Sequence, residues 1–281
     1  MREIHIDKIC DAVRQLYLNI LCTIGEDITQ SLKSGLEQEE SPIGCMILRQ
    51  LLENNEIAHK ERIGLCQDTG MAILFVEMGQ EIHLTGGSFE DAVNQGVREA
   101  YEQGYFRKSV VADPLFDRLN TKDNTPAVIH LRLTPGDRIH ITAMAKGFGS
   151  ENMSVMRMLV PADGEEGVLH TIIDAVRRAG PNPCPPIIVG VGIGGTMEVA
   201  AQLAKVATAR PIGVHHPDLR YADLERKALS AVNDLGIGPG GLGGRITALA
   251  VHIEYYPTHI AGLPVAVNLC CHASRHGECE I

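Results

Sequence analysis

Three cysteines in this 281-residue chain stand in settings that an ordinary buried thiol does not need. Cys66 precedes Gln67-Asp68-Thr69-Gly70. Cys184 is fixed between prolines in Asn182-Pro183-Cys184-Pro185-Pro186. Cys271 is followed by His272 and Arg275. Each falls where the pattern predicts the end of a helix or strand, where sites on α/β scaffolds collect. The other five cysteines are Cys10, Cys22, Cys45, Cys270 and Cys279, and no Cys-x-x-Cys pair points to structural zinc. Spacing alone favours three unrelated thiols. If Cys66, Cys184 and Cys271 converge, three thiolates suit an iron–sulfur cluster, whose protein ligands are normally four cysteines. One iron is then open to act as a Lewis acid on the hydroxyl and carboxylate of a hydroxy acid.

Other groups could take part in such chemistry. Asp68 lies two residues from Cys66 and is a candidate for the proton transfer that dehydration beside a carboxylate requires. Asp68-Thr69-Gly70 reads equally as a plain turn. Arg107 offers the planar fork that matches a carboxylate, or is a surface charge. Gly147-Phe148-Gly149-Ser150 could turn backbone N–H groups toward an anion, or be an ordinary turn. His259 taken alone reads as structural or exposed, and the adjacent His215 and His216 point apart on extended chain. Gly190-Val191-Gly192-Ile193-Gly194-Gly195 matches the strand–Gly-x-Gly-x-x-Gly–helix pattern of dinucleotide sites. The acid expected further on is missing from Pro211–Pro217, so we read these glycines as places where a helix packs closely on a strand.

The elements that must position these residues alternate between helical and strand periodicity. Ile6, Ile9, Val13, Leu16 and Ile20 share one helical face. Further helices are predicted near Ile28 and Leu32, from Ser41-Pro42, from Ser88 to Gly104, and over 168–179, 197–208 and 221–235. Strands are predicted over 71–76, 127–133, 138–145, 187–191, 247–254 and 264–269, with Thr134-Pro135-Gly136-Asp137 as a hairpin turn between the second and third. This predicts a mixed α/β fold, a single domain over 1–281 with two lobes dividing near 161–167. No internal repeat or low-complexity tract is visible. The net charge of −10 argues against nucleic acid as a partner and mildly against an anionic membrane. No run of about 18 apolar residues occurs. The charged start does not resemble a signal peptide, so a cytoplasmic location is the default expectation.

Taken together, Gly64-Leu65-Cys66-Gln67-Asp68-Thr69-Gly70, Pro181-Asn182-Pro183-Cys184-Pro185-Pro186 with Gly190–Gly195, and Cys271-His272-Ala273-Ser274-Arg275 resemble the class I, iron–sulfur fumarate hydratases and the related tartrate dehydratases. The resemblance covers nearly the whole chain. It implies an α/β fold of mixed sheets flanked by helices, in two lobes around a cluster site. It implies a [4Fe–4S] cluster held by Cys66, Cys184 and Cys271. Cys271 is preferred to Cys270 because the family histidine stands twelve residues before the ligand, which here is His259. It places Gln67, Asp68, Arg107 and the Gly147–Gly149 backbone at a small dicarboxylate substrate, with His259. It also implies a β subunit that completes the active site, and an αβ dimer of dimers. Phe106–Val111 and Asn120–Pro126 look like the fumarase pattern, so fumarate and malate are the expected substrates. Dehydration of tartrate or another hydroxy-diacid is the alternative, and a non-catalytic cluster- or metal-binding partner protein is the alternative of another class. One departure stands out: many members have Gln where this chain has Gly240.

Overall fold

The computed structural model describes residues 1–281. In chain order the elements are β1 (Arg2–His5), α1 (Ile6–Ile20), α2 (Glu26–Gln38), α3 (Pro42–Glu61), β2 (Met71–Gly79), β3 (Ile82–Thr85), α4 (Phe89–Gln103), β4 (Val128–Thr134), β5 (Ile139–Lys146), α5 (Phe148–Glu151), β6 (Val155–Leu159), α6 (Gly164–Ala179), β7 (Ile187–Gly194), α7 (Met197–Ala207), α8 (Leu219–Asn233), β8 (Ala248–Tyr256), β9 (Leu263–Cys270) and β10 (His276–Glu280). Helices and mixed sheets interleave, as the periodicity predicts. No helix is long and apolar enough to cross a membrane.

The chain forms two compact units. The first comprises Met1–Ile24, Asn54–Phe148 and Arg275–Ile281, the second Gly25–Glu53 and Gly149–Ser274. Residues 161–167, where the sequence suggests a division, lie inside the second unit as a 3-10 turn leading into α6.

The first unit is built on a four-stranded sheet of order β10-β5-β2-β4. One turn of α1 after another buries Ile9, Val13, Tyr17 and Ile20, and α4 buries Val93, Val97, Ala100 and Tyr101 in the same core. Ser88 caps α4 by accepting the N–H of Asp91. The expected β4–β5 hairpin does not form. β2 lies between the two strands, parallel to β4 and antiparallel to β5. Strands on either side of a third stand about 10 Å apart, a gap that the Thr134–Asp137 turn can span. The end of β2 is bonded under that turn, with Gln80 N donating to Thr134 O and Glu81 N to Gly136 O.

The second unit has a sheet of order β6-β9-β7-β8. β7 is buried along its whole length, and its alternation sorts the two faces. Ile187, Val189, Val191 and Ile193 join the apolar cluster with α6 and α8. The alternate residues include Gly190 and Gly192, against which α7 lies so closely that a Cβ would come 2.1 Å from Ala204 O and 2.0 Å from Ala200 O. The strand continues through Gly194, past the predicted end at 191, and the glycine string is a packing face. The outer edge of β8 is covered by side chains. Asn233 bonds both main-chain groups of Ala248, while Glu225 accepts from Ile253 N and Arg210 donates to Ile253 O.

The two sheets share one pairing pattern. In each, a central strand (β2, β7) is followed by a helical crossover to a parallel edge strand (β4, β8). The chain then returns antiparallel on the other side of the central strand (β5, β9). The segments entering β2 and β4 and leaving β5 therefore lie at one end of the first sheet. Those entering β7 and β8 and leaving β9 lie at the equivalent end of the second.

Candidate active site

In the first unit the segment entering β2 carries Cys66, Gln67 and Asp68. Its backbone is held at three successive carbonyls by buried side chains from three different elements. Arg275 Nη1 donates to Asp68 O. Tyr101 Oη, on α4, donates to Thr69 O at 2.8 Å. Asn124 Nδ2, in the segment entering β4, donates to Gly70 O at 3.1 Å. Burial pushes the Tyr101 phenol well up, so it stays a hydroxyl donor. Asn124 also accepts Ser109 N at 2.7 Å, and Thr69 Oγ1 donates to Arg107 O. The Arg107 side chain is exposed, but its backbone is tied to this turn.

Asp68 bridges two segments. Its Oδ1 accepts Gly70 N at 3.0 Å and its Oδ2 accepts Phe148 N at 2.8 Å. Gly147 fits beside this bridge. A Cβ there would lie 3.2 Å from both Arg275 Nη2 and Asp68 Oδ2. The structure thus brings Cys66, Gln67, Asp68, Arg107 and Gly147 to one end of the first sheet. Cys66 is half-buried and donates to Gln67 Oε1 at 3.4 Å, while Gln67 is exposed.

In the second unit the register pairs Cys270 with Ile188, which sets Cys271 level with Ile187, just after the Cys184 segment. Cys184 and Cys271 therefore share an end of the sheet. Cys184 is exposed and has φ of 56°, a left-handed conformation that costs a non-glycine residue about 1–3 kcal/mol. Cys270 is buried within β9, whereas Cys271 is half-buried beyond the strand. Gly149 lies near the Cys184 segment, where a Cβ would sit 3.4 Å from Asn182 O. The segment entering β8 supports the same place, with Gly240 N donating to Pro185 O at 2.8 Å. Gly240 has φ of 64°, and a Cβ there would come 2.9 Å from Ile47 Cδ1. The usual Gln would be strained here.

His259 is not brought to this end. It lies in the turn between β8 and β9, which Thr258 Oγ1 ties to Gly195 O at 2.8 Å. β9 carries the chain from there to Cys270, eight residues at about 3.3 Å each, so His259 and Cys271 are at opposite ends of the sheet.

Sequence reasoning left Arg275, Tyr101, Asn124 and Glu39 out of the site. Glu39, between α2 and α3, accepts from the backbone N–H groups of Glu40, Ser41, Arg245 and Ile246, and so anchors the segment that supports Pro185. Most of their partners are main-chain atoms far away in sequence, which local periodicity does not reveal. Arg275 and Asn124 had a signal only through the stretches that contain them, Cys271–Arg275 and Asn120–Pro126.

A family model described as Fumarate hydratase (Fumerase) matches residues 10–280. The chain belongs to this family. Relatives include the Putative L(+)-tartrate dehydratase subunit alpha of Methanocaldococcus jannaschii, 40% identical over 272 residues that cover 95% of each chain. The L(+)-tartrate dehydratase subunit alpha of Escherichia coli (strain K12) is 33% identical over 276 residues, 97% of this chain and 90% of the relative.

In this fumarate hydratase family member, no group of three or more His, Cys, Asp or Glu side chains is gathered as a metal site. Cys66 belongs to the first unit, Cys184 and Cys271 to the second. The donor chemistry nonetheless fits an iron–sulfur group, since thiolates are its ordinary ligands. Burial raises Cys10, Cys22 and Cys279, which keeps them protonated. Cys184 combines exposure with a left-handed backbone, a setting that costs a non-glycine residue free energy.

Proposed function

We propose that this chain is the α-type subunit of a hydro-lyase that removes water from, or adds it to, a small hydroxy-diacid, with L(+)-tartrate the favoured substrate. A β-type subunit completes the active site, and two such pairs assemble. The names of the relatives, matched over almost their full length, support tartrate over the fumarate suggested by the Phe106–Val111 pattern. The observation that carries the reading is the collection of Cys66, Gln67, Asp68, Arg107 and Gly147 at one end of the first sheet, and of Cys184 and Cys271 at the equivalent end of the second.

Cys66, Cys184 and Cys271 would hold a [4Fe–4S] cluster, which supplies a Lewis acid at its open iron when bound. The chain's own side chains do the rest. The Arg107 guanidinium pairs with one substrate carboxylate, and the Gln67 amide orients the diacid beside it. Asp68 receives the carbon-bound proton. Each of its oxygens already accepts one backbone N–H, and each keeps a second lone pair for that purpose. The tight fit of Gly147 lets the Lys146–Phe148 backbone approach the same carboxylate.

A second reading, fumarate and malate, is favoured by the family model itself. One assay separates the two. The chain is co-produced with its complementary subunit, purified without oxygen, and given L(+)-tartrate, malate and fumarate in turn. Oxaloacetate formation from tartrate at a kcat/KM at least tenfold above that for malate supports the first reading, and the reverse order supports the second. A cluster-loaded complex that turns over none of the three would overturn both.

A further inference from the structure

We infer that Arg275 is a positioning residue, whose guanidinium sets the backbone of the Cys66–Gly70 turn and so aims Cys66 and Gln67. It rests on the reading above that these two residues work at the active site. Arg275 is only 3% exposed, a burial that a lone cation does not adopt without a task. Its Nη1 donates to the carbonyl of Asp68, and Nη2 packs against Gly147, the residue next to the Phe148 amide that Asp68 accepts. Arg275 bears on both sides of the Asp68 bridge. Its Nε is buried without a hydrogen-bond partner, so the guanidinium has given up solvation to hold this place.

The neighbouring bonds sharpen its role. Tyr101 and Asn124 hold the carbonyls of Thr69 and Gly70, the residues that lead directly into β2 and are already fixed by it. Asp68 is one residue further from the strand and nearer Cys66. Arg275 is the side chain that holds the Asp68 carbonyl. Loss of its bond should therefore loosen residues 66–70 while β2 and its neighbours stay in place. Arg275 stands four positions after Cys271 in sequence, so one short segment carries a proposed ligand and the support for another.

Backbone amide exchange in the full-length chain without cluster tests this independently of turnover. In Arg275→Gln, exchange of residues 66–70 and of Phe148 should rise about tenfold, as expected when a charge-assisted bond is lost locally. Exchange in β2 and α1 should be unchanged. Arg275→Lys keeps a cationic donor without the fork, should fall between the two, and decides the question by the same comparison if Arg275→Gln does not fold. Unchanged exchange at 66–70 would overturn the inference. An equal rise in β2 and α1 would also overturn it, because Arg275 would then be a general stabiliser. A complex inactive on every diacid would instead count against the proposed function and leave the exchange result standing.

Discussion

Asp68 Oδ2 accepts the main-chain N–H of Phe148 at 2.8 Å, joining two segments 80 residues apart, while Oδ1 of the same carboxylate accepts Gly70 N. The residue read as a proton carrier is thus also a structural bridge. In Asp68→Asn one of these contacts becomes donor against donor. The chain should lose about 1–3 kcal/mol in chemical denaturation. A variant as stable as the parent would show that the bridge does not hold.

Close packing of α7 on β7 gives a second test. An alanine at 192 would place its Cβ 2.0 Å from Ala200 O, a backbone atom that cannot move without shifting the helix. Gly192→Ala should destabilise the chain by about 3 kcal/mol, measured by denaturant unfolding. A loss under about 0.5 kcal/mol would contradict the packing.

Glu39 is the buried anchor of the segment that supports Pro185. Burial pushes its carboxyl up, but four backbone N–H groups outweigh this and hold it below the ordinary value of 4.5. A depressed carboxyl contributes its full stability above 4.5 and loses it as pH falls through the folded value. Glu39→Gln should therefore cost about 1–3 kcal/mol at pH 7, with the gap narrowing below pH 4.5. A gap that stays constant down to pH 3 would show that the charge is not what matters.

His252 has the opposite charge in its protonated form but the same sign of linkage. Burial, helped by nearby Arg210, lowers it from 6.5 to about 4, and its Nδ1 faces Ala207 O at 3.1 Å. The unfolded chain takes up this proton first, so stability is fully present above pH 6.5 and drains away between 6.5 and about 4. The contribution is at most about 3 kcal/mol. In His252→Gln the fall over this window should flatten, and an NMR titration placing His252 near 6.5 would refute the assignment.

What the sequence made legible follows from the range of the forces involved. The helix of Ile6–Ile20 was visible because its apolar face repeats within the segment itself, and α4 because Ser88 caps it locally. The β4–β5 pairing was misread because Thr134-Pro135-Gly136-Asp137 looks the same whether the strands it joins are neighbours or flank a third. The repeat of sheet topology had no sequence signal at all, since strand order is a choice of tertiary pairing. At the candidate site, Cys66, Asp68 and Cys184 stood out by type and setting. Arg275 did not, because its partner is a carbonyl 207 positions away. His259 entered only through resemblance, and the strand length of β9 sets it at the far end of its sheet.

The central claim is that Cys66, Cys184 and Cys271 together hold a catalytic cluster. Its most direct measurement is iron and sulfide content in anaerobically purified protein, with each of the three changed in turn to serine and Cys270→Ser alongside. The expected result is about four iron and four sulfide per chain in the parent and in Cys270→Ser, as for a [4Fe–4S] centre, and loss of intact cluster in each of the other three. A full cluster retained in Cys271→Ser but lost in Cys270→Ser, or a parent chain with no iron and sulfide at all, would contradict it.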